Sequence, residues 1–247
     1  MSEPLSFRRL LKGGGIVTLG NLVAAGLGLL LLLVLARSLS PAELAVVIGV
    51  IVVIDGGQMF LDATVNTGMI NLASRDGQRA MPSPDLLRAG FWTKISLGLA
   101  FAVVISAFAG LMSSAMIGDR SMTGLVMLAS VGAIFAGMQS FVLAVLTARE
   151  AYGRIALTSV WKNLFRLAAV APFLLAGKPD AHSVGLAICV VTFVTPVASL
   201  GMVSWSFLRA EGKLWEGVKA LQRVNGWMLI AALAMLGGRL DVWLVGT

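Results

Sequence analysis

Seven apolar runs, each about as long as the ~20 residues that cross a hydrocarbon layer as a helix, follow one another through the 247 residues of this chain. They extend over Gly13 to Ala36, Ala42 to Gly68, Ala89 to Met112, Ser121 to Ala148, Ile155 to Ala176, Ser183 to Leu208 and Gly226 to Val245. Only short polar segments separate them, and no single soluble core accommodates so many. The composition agrees: 58% of residues are hydrophobic and 13% charged, with mean hydropathy +0.91. In lipid a backbone satisfies itself only as a helix or a closed barrel, and these runs lack the two-residue alternation of barrel strands. The expected fold is therefore an all-α integral membrane protein, a polytopic helical bundle. Residues 1–208 form a six-helix lobe, 209–225 an amphipathic interfacial linker, and 226–247 a seventh helix that opens a second lobe.

The first run follows Arg8, Arg9 and Lys12, as a secretory signal would. From Ile16 to Ala36 it is too long for a signal h-region and more spans follow, so it reads as an uncleaved helix. Assigning the 19 Lys and Arg to alternate sides puts fifteen on the N-terminal side: Arg8, Arg9, Lys12, Arg75, Arg79, Arg88, Lys94, Arg149, Arg154, Lys162, Arg166, Arg209, Lys213, Lys219 and Arg223. Arg37, Arg120 and Lys178 fall on the other side, and Arg239 lies within the last run. An excess of basic residues marks the cytoplasmic side, so the N-terminus is expected there. The same placement explains the net charge of +7 without nucleic acid. Between the sixth and seventh runs, Leu214, Val218 and Leu221 recur at helical spacing beside Trp215, with Lys213, Lys219 and Arg223 elsewhere on the wheel. That pattern suits a helix lying along the cytoplasmic leaflet.

Polar residues inside spans are the candidates for function, because a charge at that depth should face protein or a water-filled cavity. Asp55, Gln58, Asp62 and Asn66 in the second run, at separations of 3, 4 and 4, share one helical face. Ser159, Lys162, Asn163 and Arg166 share a side of the fifth. With a rise of ~1.5 Å per residue from Ile155, Lys162 lies roughly 10 Å and Arg166 roughly 16 Å into the layer. Asn21 and Gln139 are further candidates for the lining, while Gly20, Ala24 and Gly28 suggest close helix packing. One cysteine and one histidine exclude an internal disulfide and a Cys/His metal cluster. No cofactor, metal or nucleophile motif is present, and the chain reads as a non-enzyme. The competing enzymatic reading is a membrane transferase acting on a lipid phosphate.

Three segments carry a resemblance. "LLLLLVLARSLSPAELAVV", with Ala36, Arg37, Pro41 and Glu43, resembles the first span and turn of bacterial Wzx-like polysaccharide flippases of the multidrug/oligosaccharidyl-lipid/polysaccharide exporter superfamily. "LDATVNTGMINLASRD" is similar to the end of their second span at Asp62 and Arg75. "GGRLDVWLVG", through Arg239, Leu240 and Asp241, is similar to the opening of their second half. Ser40 and Thr64 stand where the family has glycine. The resemblance implies one lobe, plus the first helix of the next, of a two-lobed transporter, and hence a truncated product or fragment. It also implies flipping of an undecaprenyl-pyrophosphate-linked oligosaccharide across the bacterial inner membrane by alternating access.

On that reading Lys162 and Arg166, with Asn163, compensate the pyrophosphate charge, and Asp55, Gln58, Asp62 and Asn66 complete the substrate site. The alternative is that the two cations form structural ion pairs with Asp55 or Asp62. Membrane lipids and polysaccharide assembly proteins are the other expected partners, with no cofactor and no nucleic acid. The rival functions are a cation or drug exporter of the same superfamily, which would use the acidic face of the second span, and a non-transporting scaffold for polysaccharide assembly.

Overall fold

The computed structural model describes residues 7–69, 72, 83–114, 120–177, 179–209 and 214–223. Six long helices account for most of them: α1 (Phe7–Ser38), α2 (Pro41–Leu61), α3 (Pro84–Ala107), α4 (Thr123–Ala148), α5 (Tyr152–Leu175) and α6 (Ala181–Leu200). No strand occurs among the described residues. The protein is an all-α polytopic membrane protein, and five segments, Gly13–Ser38, Pro41–Leu61, Pro84–Ala107, Arg120–Ala148 and Ala181–Leu200, are long and apolar enough to cross a membrane. At 24 residues α5 matches α3 in length, but Arg154, Lys162 and Arg166 lower its apolarity. The seventh apolar run lies outside the described residues.

Local chemistry sets the helix ends. Ser40 and Glu43 form a capping box, with the Ser40 backbone N–H donating to Glu43 Oε2 at 2.9 Å, and Pro41 occupies the first turn, where its missing N–H costs nothing. At α3 the Ser83 hydroxyl accepts from Leu86 N–H ahead of Pro84, so this helix begins five residues before the expected Ala89. Asp180 caps α6 by accepting from Ser183 N–H at 2.9 Å. The sixth helix also ends earlier than expected, at Leu200 rather than Leu208. The chain turns at Gly201, residues Trp205–Arg209 form a 3₁₀ turn, and the Trp205 indole N–H donates to the Leu200 carbonyl at 2.9 Å. The second helix does not run uniformly to Gly68, because Asp62–Asn66 forms a π-turn.

Helix α4 is central and packs on α2, α3, α5 and α6, whereas α1 packs chiefly on α5. Small residues let these helices approach, as expected where lipid gives no hydrophobic drive to association. A Cβ on Gly20 would fall 2.5 Å from Ala156 Cβ on α5, and one on Gly57 the same distance from Ala133 Cβ on α4. At one end of the bundle Phe91 meets Phe141, Trp205 and Phe207 edge-on, and Leu221 is buried in the same cluster. Residues 214–223 are helical, and Gly217 lies against Ala89 and the Asp85 carbonyl at the start of α3.

Candidate functional site

Helices α2 and α5 do not pack closely on one another, although α4 and α6 each touch both. Long side chains span the gap. Asp55 lies fourteen residues beyond the start of α2, and Arg166 fourteen beyond the start of α5, so each is about 21 Å along its helix. Lys162 Nζ and Arg166 Nη2 both donate to Asp55 Oδ1 at 3.0 Å, and Arg166 Nη1 reaches Asp55 Oδ2 at 3.4 Å. Lys162 also donates to Gln58 Oε1 at 3.0 Å. The guanidinium thus addresses both carboxylate oxygens, the fork geometry in which arginine binds oxyanions best. Side-chain exposure is 6% for Arg166, 22% for Lys162 and 38% for Asp55, so the carboxylate is the most open of the three.

About two turns beyond Asp55, just past the end of α2, is a second network. Lys94 Nζ on α3 donates to Asp62 Oδ1 at 2.8 Å, Asn66 Oδ1 at 3.0 Å and Ser140 Oγ at 2.6 Å. All three ammonium protons therefore have acceptors. The Ser140 hydroxyl also hydrogen-bonds Asp62, and the Asn66 amide donates to Asp62 and to the Ser140 carbonyl. Gln58 joins the two networks, accepting from Lys162 and donating to Asp62 Oδ2 at 3.5 Å.

The polar face expected on α2 is therefore divided between two sites. Asp55 and Gln58 meet Lys162 and Arg166, while Asp62 and Asn66 are held by Lys94 and Ser140. Asn163 joins neither, because its amide donates to the Ala24 carbonyl on α1 at 2.8 Å and holds α1 against α5. Gln139 turns toward α6, where it accepts from Thr195 at 3.5 Å, and Asn21 is exposed on α1. Lys94 does not belong among the charges that set orientation, since it is 1% exposed inside the bundle. With Lys162 and Arg166 also paired within the bundle, twelve of the fifteen charges remain to oppose three. The signal for Lys94 was the Ser83–Pro84 cap: a helix starting there places the lysine ten residues, or about 15 Å, into its span.

A bundle of membrane-long helices with paired charges between them defines a multi-pass membrane protein whose polar chemistry lies inside the helical layer. Residues 10–239 match the family model described as polysaccharide biosynthesis protein, and the chain belongs to that family. No curated protein and no solved structure matches it.

Proposed function

We propose that the chain supplies one lobe of a transporter that flips an undecaprenyl-pyrophosphate-linked oligosaccharide from the cytoplasmic to the outer leaflet of the bacterial inner membrane. The N-terminus is cytoplasmic, the segment 209–225 lies along that leaflet, and residues 226–247 begin the second lobe. The observation that carries this reading is the convergence of Lys162 and Arg166 on one carboxylate oxygen in the gap between α2 and α5. Two cations sharing one carboxylate leave an excess of one positive charge there, while Lys94 and Asp62 cancel. Asp55 and Asp62 both already hold internal cations, which favours an anionic cargo over the cation exporter. Membership of the polysaccharide family favours transport over catalysis.

The test is replacement of Arg166 at the native chromosomal locus, with surface polysaccharide measured against membrane abundance of the protein. Arg166→Gln is expected to lose most export at normal abundance. Arg166→Lys retains part of it, because a lysine keeps the charge but loses the two-pronged geometry. Wild-type export by Arg166→Gln would remove the support for this site.

A further inference from the structure

The three charges of the α2–α5 gap are stacked in a particular order. Asp55 is the most exposed, Lys162 is intermediate and Arg166 is nearly buried, so the carboxylate is the most accessible charge of the three. That carboxylate also makes the contacts an incoming oxyanion would need. It takes both terminal nitrogens of Arg166 and the ammonium of Lys162, in the fork geometry that carboxylates and phosphates share.

From this we infer that Asp55 is an internal substitute for the cargo's phosphate and sets the affinity of the site by competing for Lys162 and Arg166. The inference rests on the function proposed above. A tethered carboxylate competes at the high effective concentration of an intramolecular group. Every anion that takes the two cations must displace it, so the carboxylate lowers the apparent affinity of each by the same factor. A pyrophosphate carries more charge and offers oxygens to both cations, so it displaces the carboxylate, which rotates toward the open side of the gap.

Asp55 is thereby distinguished from Asp62. The Asp62 partner Lys94 is 1% exposed and saturated with acceptors, whereas the Asp55 partners lie behind the most accessible group of their cluster. The remaining charged group on the same helix face is Asp62 itself, one link away through Gln58.

The experiment uses the full chain in phosphatidylcholine nanodiscs with inorganic pyrophosphate and inorganic phosphate as probes, read by calorimetry. Wild type is expected to bind pyrophosphate in preference to phosphate. Asp55→Asn binds both more tightly, by ~10-fold or more and by the same factor for each. Arg166→Gln binds neither.

If wild type binds pyrophosphate and Asp55→Asn binds it no more tightly, the competition is refuted while the anion site stands. Failure of both proteins to bind overturns the site and the inference together. Should Asp55→Asn not fold, the wild-type protein gives the answer through carbodiimide labelling of Asp55, quantified by mass spectrometry relative to exposed Asp180. Saturating pyrophosphate is expected to raise that labelling severalfold. Unchanged or reduced labelling with pyrophosphate bound would show that Asp55 keeps its partners, and the inference fails.

Discussion

The ammonium of Lys94 on α3 lies 2.8 Å from Asp62 Oδ1 at the end of α2, and the lysine side chain is only 1% exposed. Asp62 is 31% exposed, so removing the lysine leaves a part-exposed uncompensated carboxylate, at a cost below the roughly 3–5 kcal/mol of a fully buried pair. Lys94→Met is therefore expected to lower thermal stability in detergent and membrane abundance together. Lys94→Met with Asp62→Asn, which leaves no charge, recovers most of both. A double variant as unstable as the single one would show that pairing is not what Lys94 contributes.

The contact between Gly20 and Ala156 makes an opposite pair of predictions along α1. A Cβ at Gly20 would fall 2.8 Å from the Ala156 Cα, whereas nothing lies within 4 Å of one at Gly14. Gly20→Val is expected to destabilise by about 1–3 kcal/mol through overpacking. Gly14→Ala stabilises by about 0.4–1 kcal/mol by restricting the unfolded chain. Differential scanning fluorimetry of the two variants checks the change of sign.

The cap of α6 is sensitive to acid. The Asp180 carboxyl is held below its usual range by hydrogen bonds to Ser183. A carboxyl depressed by folding contributes stability above its unfolded pKa, and that contribution disappears as pH falls through the folded value. Asp180→Asn keeps a capping side chain that does not titrate. Stability measured between neutral pH and about pH 3, below the ordinary aspartate pKa, should therefore fall further for wild type than for Asp180→Asn. Equal losses would mean that this cap does not contribute to the acid sensitivity.

The turns place the chain's segments at two opposite ends of the bundle. The start of α5 at Arg154 and the helix bearing Lys219 lie at one end of the bundle, with Ser40 and Asp180 at the other. Reporter fusions after Arg154 and Lys219 are expected to report cytoplasm, and those after Ser40 and Asp180 the external side. A cytoplasmic signal from Ser40 would invert the proposed topology.

The helices were legible in the sequence because a lipid-embedded backbone has so few ways to satisfy itself. Their ends were less so. Placing the third helix at Ala89 passed over the Ser83–Pro84 cap, and with it the depth of Lys94. Partners of the polar residues were only half legible. Helical spacing put Lys162 and Arg166 on a common face, and Asp55 does receive both. Asn163, one residue from Lys162, is turned by about 100° around the helix and addresses α1 instead. Ser140 carried no signal, since a hydroxyl in an apolar helix most often bonds its own preceding turn, and Ser140 does so at Gly137 O as well as receiving Lys94.

The π-turn at Asp62–Asn66 bears on how this chain compares with its relatives. Thr67 N–H donates to the Asp62 carbonyl five residues back, so this turn holds one residue more than its α-helical equivalent. Deleting any one of the five would restore a regular helix. Because the π-turn already absorbs the extra residue, such a deletion leaves buried Met69 in its cluster with α3. A family member lacking the π-turn must therefore align with a one-residue gap at this point. Polar residues on either side of the gap then stay in phase, whereas an ungapped alignment would turn every position beyond it by about 100° around the helix.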